Sequence, residues 1–155
     1  MSEPFRYYLR VRYGECDAQK VVFNARYSDY ADVALVEFIK ASCSDLGYFE
    51  FHLVKQTVEW KAPARFDQAL ELTVALRQLG VTSFTFDIEI RVAGQEPVIT
   101  RIETVCVYID HIAMKKEAIP DTVRAALLKG APGAVVDHAA YFPKDGQAGA
   151  KLATD

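Results

Sequence analysis

The sequence predicts an α+β fold: a curved antiparallel sheet of about five strands wrapped around one long central helix, with a short helix near the C-terminus. Two-residue alternation of apolar and polar side chains recurs in strand-length segments. Between the first two of these lies a helical stripe too wide to face a single neighbour. Short Gly- and Pro-marked turns join the later segments, so successive strands pair as a meander.

In the first strand Tyr7, Leu9, Val11 and Tyr13 alternate with Arg6, Tyr8, Arg10 and Arg12, which puts Tyr13 on the buried side with the other three. An acidic turn follows, and the period then lengthens. Tyr27, Tyr30, Ala31, Ala34, Leu35, Phe38 and Ile39 recur at helical spacing, and Val33 and Val36 widen the stripe. Such a helix is wrapped by other structure. It is expected to end near Asp45-Leu46-Gly47, where Gly suits a left-handed C-terminal position. Phe51 to Trp60 reads as a strand that stops before Pro63. Leu70, Leu72, Val74 and Leu76 alternate with polar neighbours, and so do Phe84, Phe86, Ile88 and Ile90 beyond the turn at Leu79-Gly80-Val81, so the two segments form a hairpin. The run Val98 to Asp110 is apolar on both faces and suits a central strand. Pro120, Asp121, Val123, Ala126 and Leu127 mark the short helix. Residues 1–129 therefore read as one domain. Residues 130–155, rich in Gly, Ala and Pro, read as an irregular tail with at most a docked Tyr141-Phe142.

A net charge of −3 over 155 residues gives no general attraction for nucleic acid, so a polyanionic ligand needs a local Arg or Lys cluster. Cys16, Cys43 and Cys106 form no C-x-x-C pair, and His52, His111 and His138 lie far apart, so no metal is expected. The start has no apolar leader and no window has the length of a membrane span, from which a cytoplasmic location is expected. One sheet over one helix leaves edges and part of the helix uncovered, which favours a homodimer with the sheet continued across subunits.

Three segments then carry a family resemblance. Val11-Arg12-Tyr13-Gly14-Glu15-Cys16-Asp17 followed by Val21-Val22-Phe23-Asn24-Ala25-Arg26-Tyr27 resembles the signature of the 4-hydroxybenzoyl-CoA thioesterase family of hotdog-fold acyl-CoA thioesterases. Val58 to Asp67, with its Pro-Ala-x-x-x-Asp turn, and the hairpin Leu79 to Phe84 match in the same order, so the likeness spans about residues 5 to 128. It implies the hotdog fold, a homodimer or homotetramer, and hydrolysis of an acyl-CoA to a free acid and CoA. It also implies that Asp17 attacks the thioester carbonyl or activates a water, and that the backbone N–H of Asn24 polarises the thioester oxygen. No cofactor is implied beyond the CoA of the substrate. An acyl carrier protein in place of CoA, and a non-catalytic acyl-binding domain, are the alternatives. A hotdog dehydratase is disfavoured, since no suitably placed His accompanies the Asp. The family usually has Gly three residues after the Asp, where this chain has Lys20, so the turn must form without Gly's freedom at positive φ or with strain at Lys20.

Read without the resemblance, Asp17 is an acid making a local hydrogen bond in a strand-to-helix loop, and Asn24 is a helix N-cap. Cys16 has no nearby His to activate it. Tyr27, Tyr30 and Phe84 are candidate acyl-pocket residues or simply core, and Ser83 is a candidate hydrogen-bond partner for the substrate. Arg65, Arg77, Arg91, Lys115, Lys116 and Arg124 are candidates for the phosphates of CoA.

Overall fold

A computed structural model describes residues 3–47 and 49–144. The elements are β1 (Phe5–Arg10), a 3-10 turn (Tyr13–Glu15), α1 (Arg26–Ser42), β2 (Glu50–Trp60), β3 (Ala69–Leu79), β4 (Ser83–Val92), β5 (Val98–Asp110), β6 (Lys115–Lys116), α2 (Asp121–Lys129) and β7 (Val135–Asp137). The strands form one sheet in the order β2-β5-β4-β3-β1-β7, with β6 added to β5. The β1–β7 pair is parallel and the others are antiparallel. The expected meander is present in β3-β4-β5, whereas β2 crosses over to pair with β5 and β1 pairs with β3; the described residues form seven strands rather than about five. The two extra strands are two and three residues long, too short to carry a period.

Register shifts at Leu53/Lys55, Leu76/Gln78 and Ile90/Arg91 place irregularities in three of the long ladders. Bulges of this kind bend and twist strands, which helps the sheet to curl round α1. The helix buries Tyr27, Tyr30, Ala31, Ala34, Leu35, Phe38 and Ile39 in the core. Ala31 and Ala34, both fully buried, let the helix approach the sheet closely, while the Phe38 ring meets Phe5 and Phe86 edge-on at 5.5 Å each.

The structure departs from the sequence reading in several places. Tyr13 is 83% exposed, because β1 stops at Arg10 and the 3-10 turn breaks the alternation. Helix α1 ends at Ser42, whose hydroxyl donates back to the Phe38 carbonyl, and Gly47 takes its left-handed φ of 70° only after a further turn. Val33 and Val36 lie exposed, so the protomer does not cover the full width of the apolar stripe.

The segment after α2 was expected to be irregular, yet Val135–Asp137 pair with β1, and the His138 N–H continues the ladder to the Tyr8 carbonyl. The Asp137 carboxylate accepts the backbone N–H groups of Ala139, Tyr141 and Phe142, and Tyr141 stacks on Tyr8 at 5.2 Å. This is why Tyr8, on the polar side of the β1 alternation, is only 1% exposed. Residues 145–155 of the expected tail lie outside the described residues.

Candidate active site

Past β1 the chain makes a small hairpin. Cys16 bridges Val22, the Asp17 N–H donates to the Val21 carbonyl at 2.9 Å, and the Lys20 N–H donates to the Asp17 carbonyl at 2.9 Å. Asp17-Ala18-Gln19-Lys20 is thus a β-turn. Its first side chain closes on itself, since Asp17 Oδ1 accepts the Gln19 N–H at 2.8 Å. This fixes the carboxylate, and the other oxygen has no hydrogen-bond partner among the described residues. The last residue of the turn has a φ of 63°: Lys20 occupies the left-handed region in which Gly is free and a side chain is strained.

Two supports hold the hairpin in place. Behind it lies Glu15, only 8% exposed, which accepts the Arg12 N–H at 2.7 Å, the Arg12 guanidinium at 2.9 and 3.1 Å, and the Tyr30 hydroxyl at 3.0 Å. Burial pushes the Glu15 carboxyl up, but these donors outweigh it and hold the group below its ordinary value. Burial, with Glu15 alongside, raises the Tyr30 hydroxyl far above its usual range. Beside the hairpin runs the segment after β2. The Val22 N–H donates to the Ala64 carbonyl, Val21 bridges Arg65, and the Ala64 N–H donates to the Tyr27 hydroxyl at 3.0 Å. The Pro-Ala turn of the sequence is therefore the piece that ties α1 to the acidic loop.

The hairpin leads within a few residues to the helix. The Phe23 N–H donates to the Glu15 carbonyl, and the Arg26 N–H to the Phe23 carbonyl, so Phe23-Asn24-Ala25-Arg26 is a second turn feeding α1. The cap residue is Ala25, with no side-chain cap bond, so Asn24 is not the N-cap. Among the described residues the N–H groups of Asn24 and Ala25 have no protein acceptor. They sit at the positive end of the helix dipole.

Asp17 lines an open depression of about 600 Å³ with Tyr13, Gly14, Cys16, Ala18, Lys20 and Phe66. The Tyr13 and Phe66 rings meet edge-on at 6.0 Å and are both exposed. Neither ring is a candidate on sequence: alternation puts Tyr13 on the buried side, and Phe66 stands at a variable position of the Pro63–Asp67 turn. Glu15 is also not legible in sequence: its carboxylate accepts the Arg12 N–H as in half of a capping box, but Arg12 lacks the side-chain acceptor that marks such a box.

The remaining candidates fall elsewhere. Ser83 pairs with Val107 at one end of β4, whereas the chain leaves β1 for the acidic hairpin at Arg10, which pairs with Ala69 beside Val92 at the other end of β4, a strand about 30 Å long. Phe84 is fully buried against Phe51 and Phe86. Tyr27 and Tyr30 are buried, and their hydroxyls bond Ala64 and Glu15. These two residues build the frame of the site rather than its surface. The Cys16 thiol turns to the Arg12 carbonyl, while His138 meets the Tyr7 hydroxyl. Among the basic candidates, Arg77 pairs with Asp87 and Glu103, Arg91 with Glu89, and Arg124 holds the Gly80 carbonyl. Lys115 and Lys116 lie exposed on β6, and Arg65 is exposed beside the acidic hairpin.

Comparison with known proteins bears on this arrangement. The model of the thioesterase-like superfamily matches residues 11–127, from the end of β1 to within α2. The acyl-CoA thioester hydrolase YbgC of Escherichia coli is 30% identical over 126 residues, covering 78% of this chain and 93% of that protein. Among solved structures, a gentisyl-coenzyme A thioesterase matches with a TM-score of 0.70 and 27% identity, over 79% of this chain and 98% of that one. A 1,4-dihydroxy-2-naphthoyl-CoA thioesterase from Synechocystis shares the fold with a TM-score of 0.70 at 22% identity, over 80% and 95% of the two chains. With the acidic hairpin, the helix entry and strands β2 to β6 inside the matched span, the chain belongs to the thioesterase-like superfamily, the hotdog-fold acyl-CoA thioesterases.

Proposed function

We propose that this protein hydrolyses an acyl-CoA thioester to a carboxylic acid and CoA, with the Asp17 carboxylate acting on the thioester carbonyl and the Asn24 N–H stabilising its oxygen. The observation that carries the reading is the pairing of these two elements. A carboxylate with one oxygen anchored and one free stands on a hairpin that runs directly into a helix start whose Asn24 N–H is unused. CoA is taken as the carrier because the relative YbgC is named for it.

Two routes balance. As nucleophile, the free Asp17 oxygen adds to the carbonyl carbon and the CoA thiolate leaves with its electron pair, giving a mixed anhydride that water then splits, regenerating the carboxylate. As general base, Asp17 takes a proton from water while the resulting hydroxide adds to the carbon, and the proton passes to the leaving thiolate. In both, negative charge grows on the carbonyl oxygen, which is where an N–H at the positive end of a helix acts most strongly.

The enzyme acts as a homodimer in this reading. Among the described residues β2 pairs with β5 alone and carries the exposed Leu53 and Val54, and the exposed Val33 and Val36 of α1 are left for a partner to cover.

The test is Asn24→Pro. Asn24 is the second residue of the Phe23–Arg26 turn, a position that favours Pro, and its N–H carries no structural bond. The substitution removes the proposed donor while leaving the turn intact. In a thiol-release assay on the best acyl-CoA, kcat is expected to fall roughly 10²- to 10³-fold with little change in KM. A folded variant with kcat within a few-fold of wild type would rule the donor out.

A further inference from the structure

We infer that Lys20 receives a carboxylate carried on the acyl chain, so that the preferred substrates are thioesters of dicarboxylic or otherwise anionic acyl groups. This rests on the thioesterase reading and names the substrate class of the same site. The depression beside Asp17 holds one cationic side chain, Lys20, and one anionic side chain, Asp17, among walls that are aromatic or small. Lys20 makes no ion pair with any described Asp or Glu, whereas on the neighbouring cavity between β1 and α1 Arg10 pairs with Asp67, Arg12 with Glu15 and Arg26 with Asp29. Its backbone is held at a φ of 63°, where Gly would be unstrained, so the side chain is kept at a local conformational cost.

Reach decides which anion the ammonium meets. Asp17 and Lys20 are the ends of one β-turn, so their Cα atoms lie within about 7 Å of one another. A thioester carbonyl at Asp17 therefore puts the first few carbons of its acyl chain within range of the Lys20 side chain. The phosphates of CoA stand at the far end of the pantetheine arm. An anionic acyl group also suffers repulsion from Asp17, which a cation at position 20 offsets. The aromatic edges of Tyr13 and Phe66 flank the methylene part of such a chain.

The experiment compares wild type, Lys20→Gly and Lys20→Arg on matched pairs of substrates, glutaryl-CoA against valeryl-CoA and the corresponding pantetheine thioesters. Gly relieves the strained backbone, so loss of fold does not obscure the result. The wild type is expected to favour glutaryl over valeryl in kcat/KM. That ratio should fall roughly tenfold to a hundredfold in Lys20→Gly, chiefly through KM, and recover in part in Lys20→Arg. The same fall on the pantetheine esters supports the acyl carboxylate as partner. An equal loss on both CoA esters that vanishes on pantetheine esters points to a phosphate and overturns the proposal, as does an unchanged ratio. A wild type that releases no thiol from any thioester would instead sink the thioesterase reading itself.

Discussion

Glu15 accepts four hydrogen bonds, three from Arg12 and one from the Tyr30 hydroxyl, from a position two residues before Asp17. It joins the loop that carries Asp17 to α1, whose entry turn holds the proposed Asn24 donor. Replacing it by Gln keeps the shape but loses the charge and leaves the guanidinium and hydroxyl poorly matched. We expect Glu15→Gln to cost about 1.5–3 kcal/mol of folding stability at pH 7 by urea denaturation. The sign of the pH dependence follows from the depressed carboxyl. A group with a lower pKa folded than unfolded stabilises above its unfolded value and loses that contribution as pH falls through the folded value. The gap between wild type and Glu15→Gln should therefore shrink as pH drops below the ordinary Glu range of about 4.3. A gap that stays constant or widens on acidification would contradict the assignment. Asp17, Asn24 and Lys20 stand in a recognisable string. Tyr13 and Phe66 lie in the same matching segments, but their exposure at the site is not legible there, because it comes from the 3-10 turn and from the pairing of distant loops.

Among the elements, α1 and β2 raise the same question. The amphipathic stripe of α1 is wider than the sheet of one protomer covers, and β2 exposes apolar side chains along an edge that ends the sheet. The opposite edge, β1, is closed by β7 and by the tail that follows, so the two edges are not equivalent. Light scattering is expected to give a dimer for the wild type. Val36→Asp, which puts a charge on the exposed helix face beside β2, should shift it toward monomer. A monomeric wild type, or a variant as dimeric as wild type, would remove the β2 edge as the interface. The width of the α1 stripe was legible in the sequence and was read as enclosure. Val33 and Val36 show that part of that width faces away from the protomer's own sheet. Strand β7 was not legible, since three residues carry no period, and it is defined by the free edge of β1 together with the Asp137 carboxylate folded over the following N–H groups.

In the whole molecule the long strands and the helix follow from periodicity, because burial on one face imposes a rhythm on the sequence. The site follows only in part. Its two chemical groups lie seven residues apart in one motif, but the geometry depends on the distant Ala64 turn meeting the Tyr27 hydroxyl and the Val22 N–H. Ser83 and Phe84 illustrate the limit. They sit in a segment that matches the family, yet within one protomer they lie at the other end of the sheet, and nothing local in the sequence fixes which end a residue occupies. The most direct test of the mechanism is the kcat of Asp17→Asn on the best acyl-CoA substrate. Asp17 is exposed, and Asn can make the same turn bond to the Gln19 N–H, so the fold should be retained. The mechanism predicts a fall of roughly 10²- to 10⁴-fold in kcat with the melting temperature essentially unchanged. A rate close to wild type in the folded variant would contradict it.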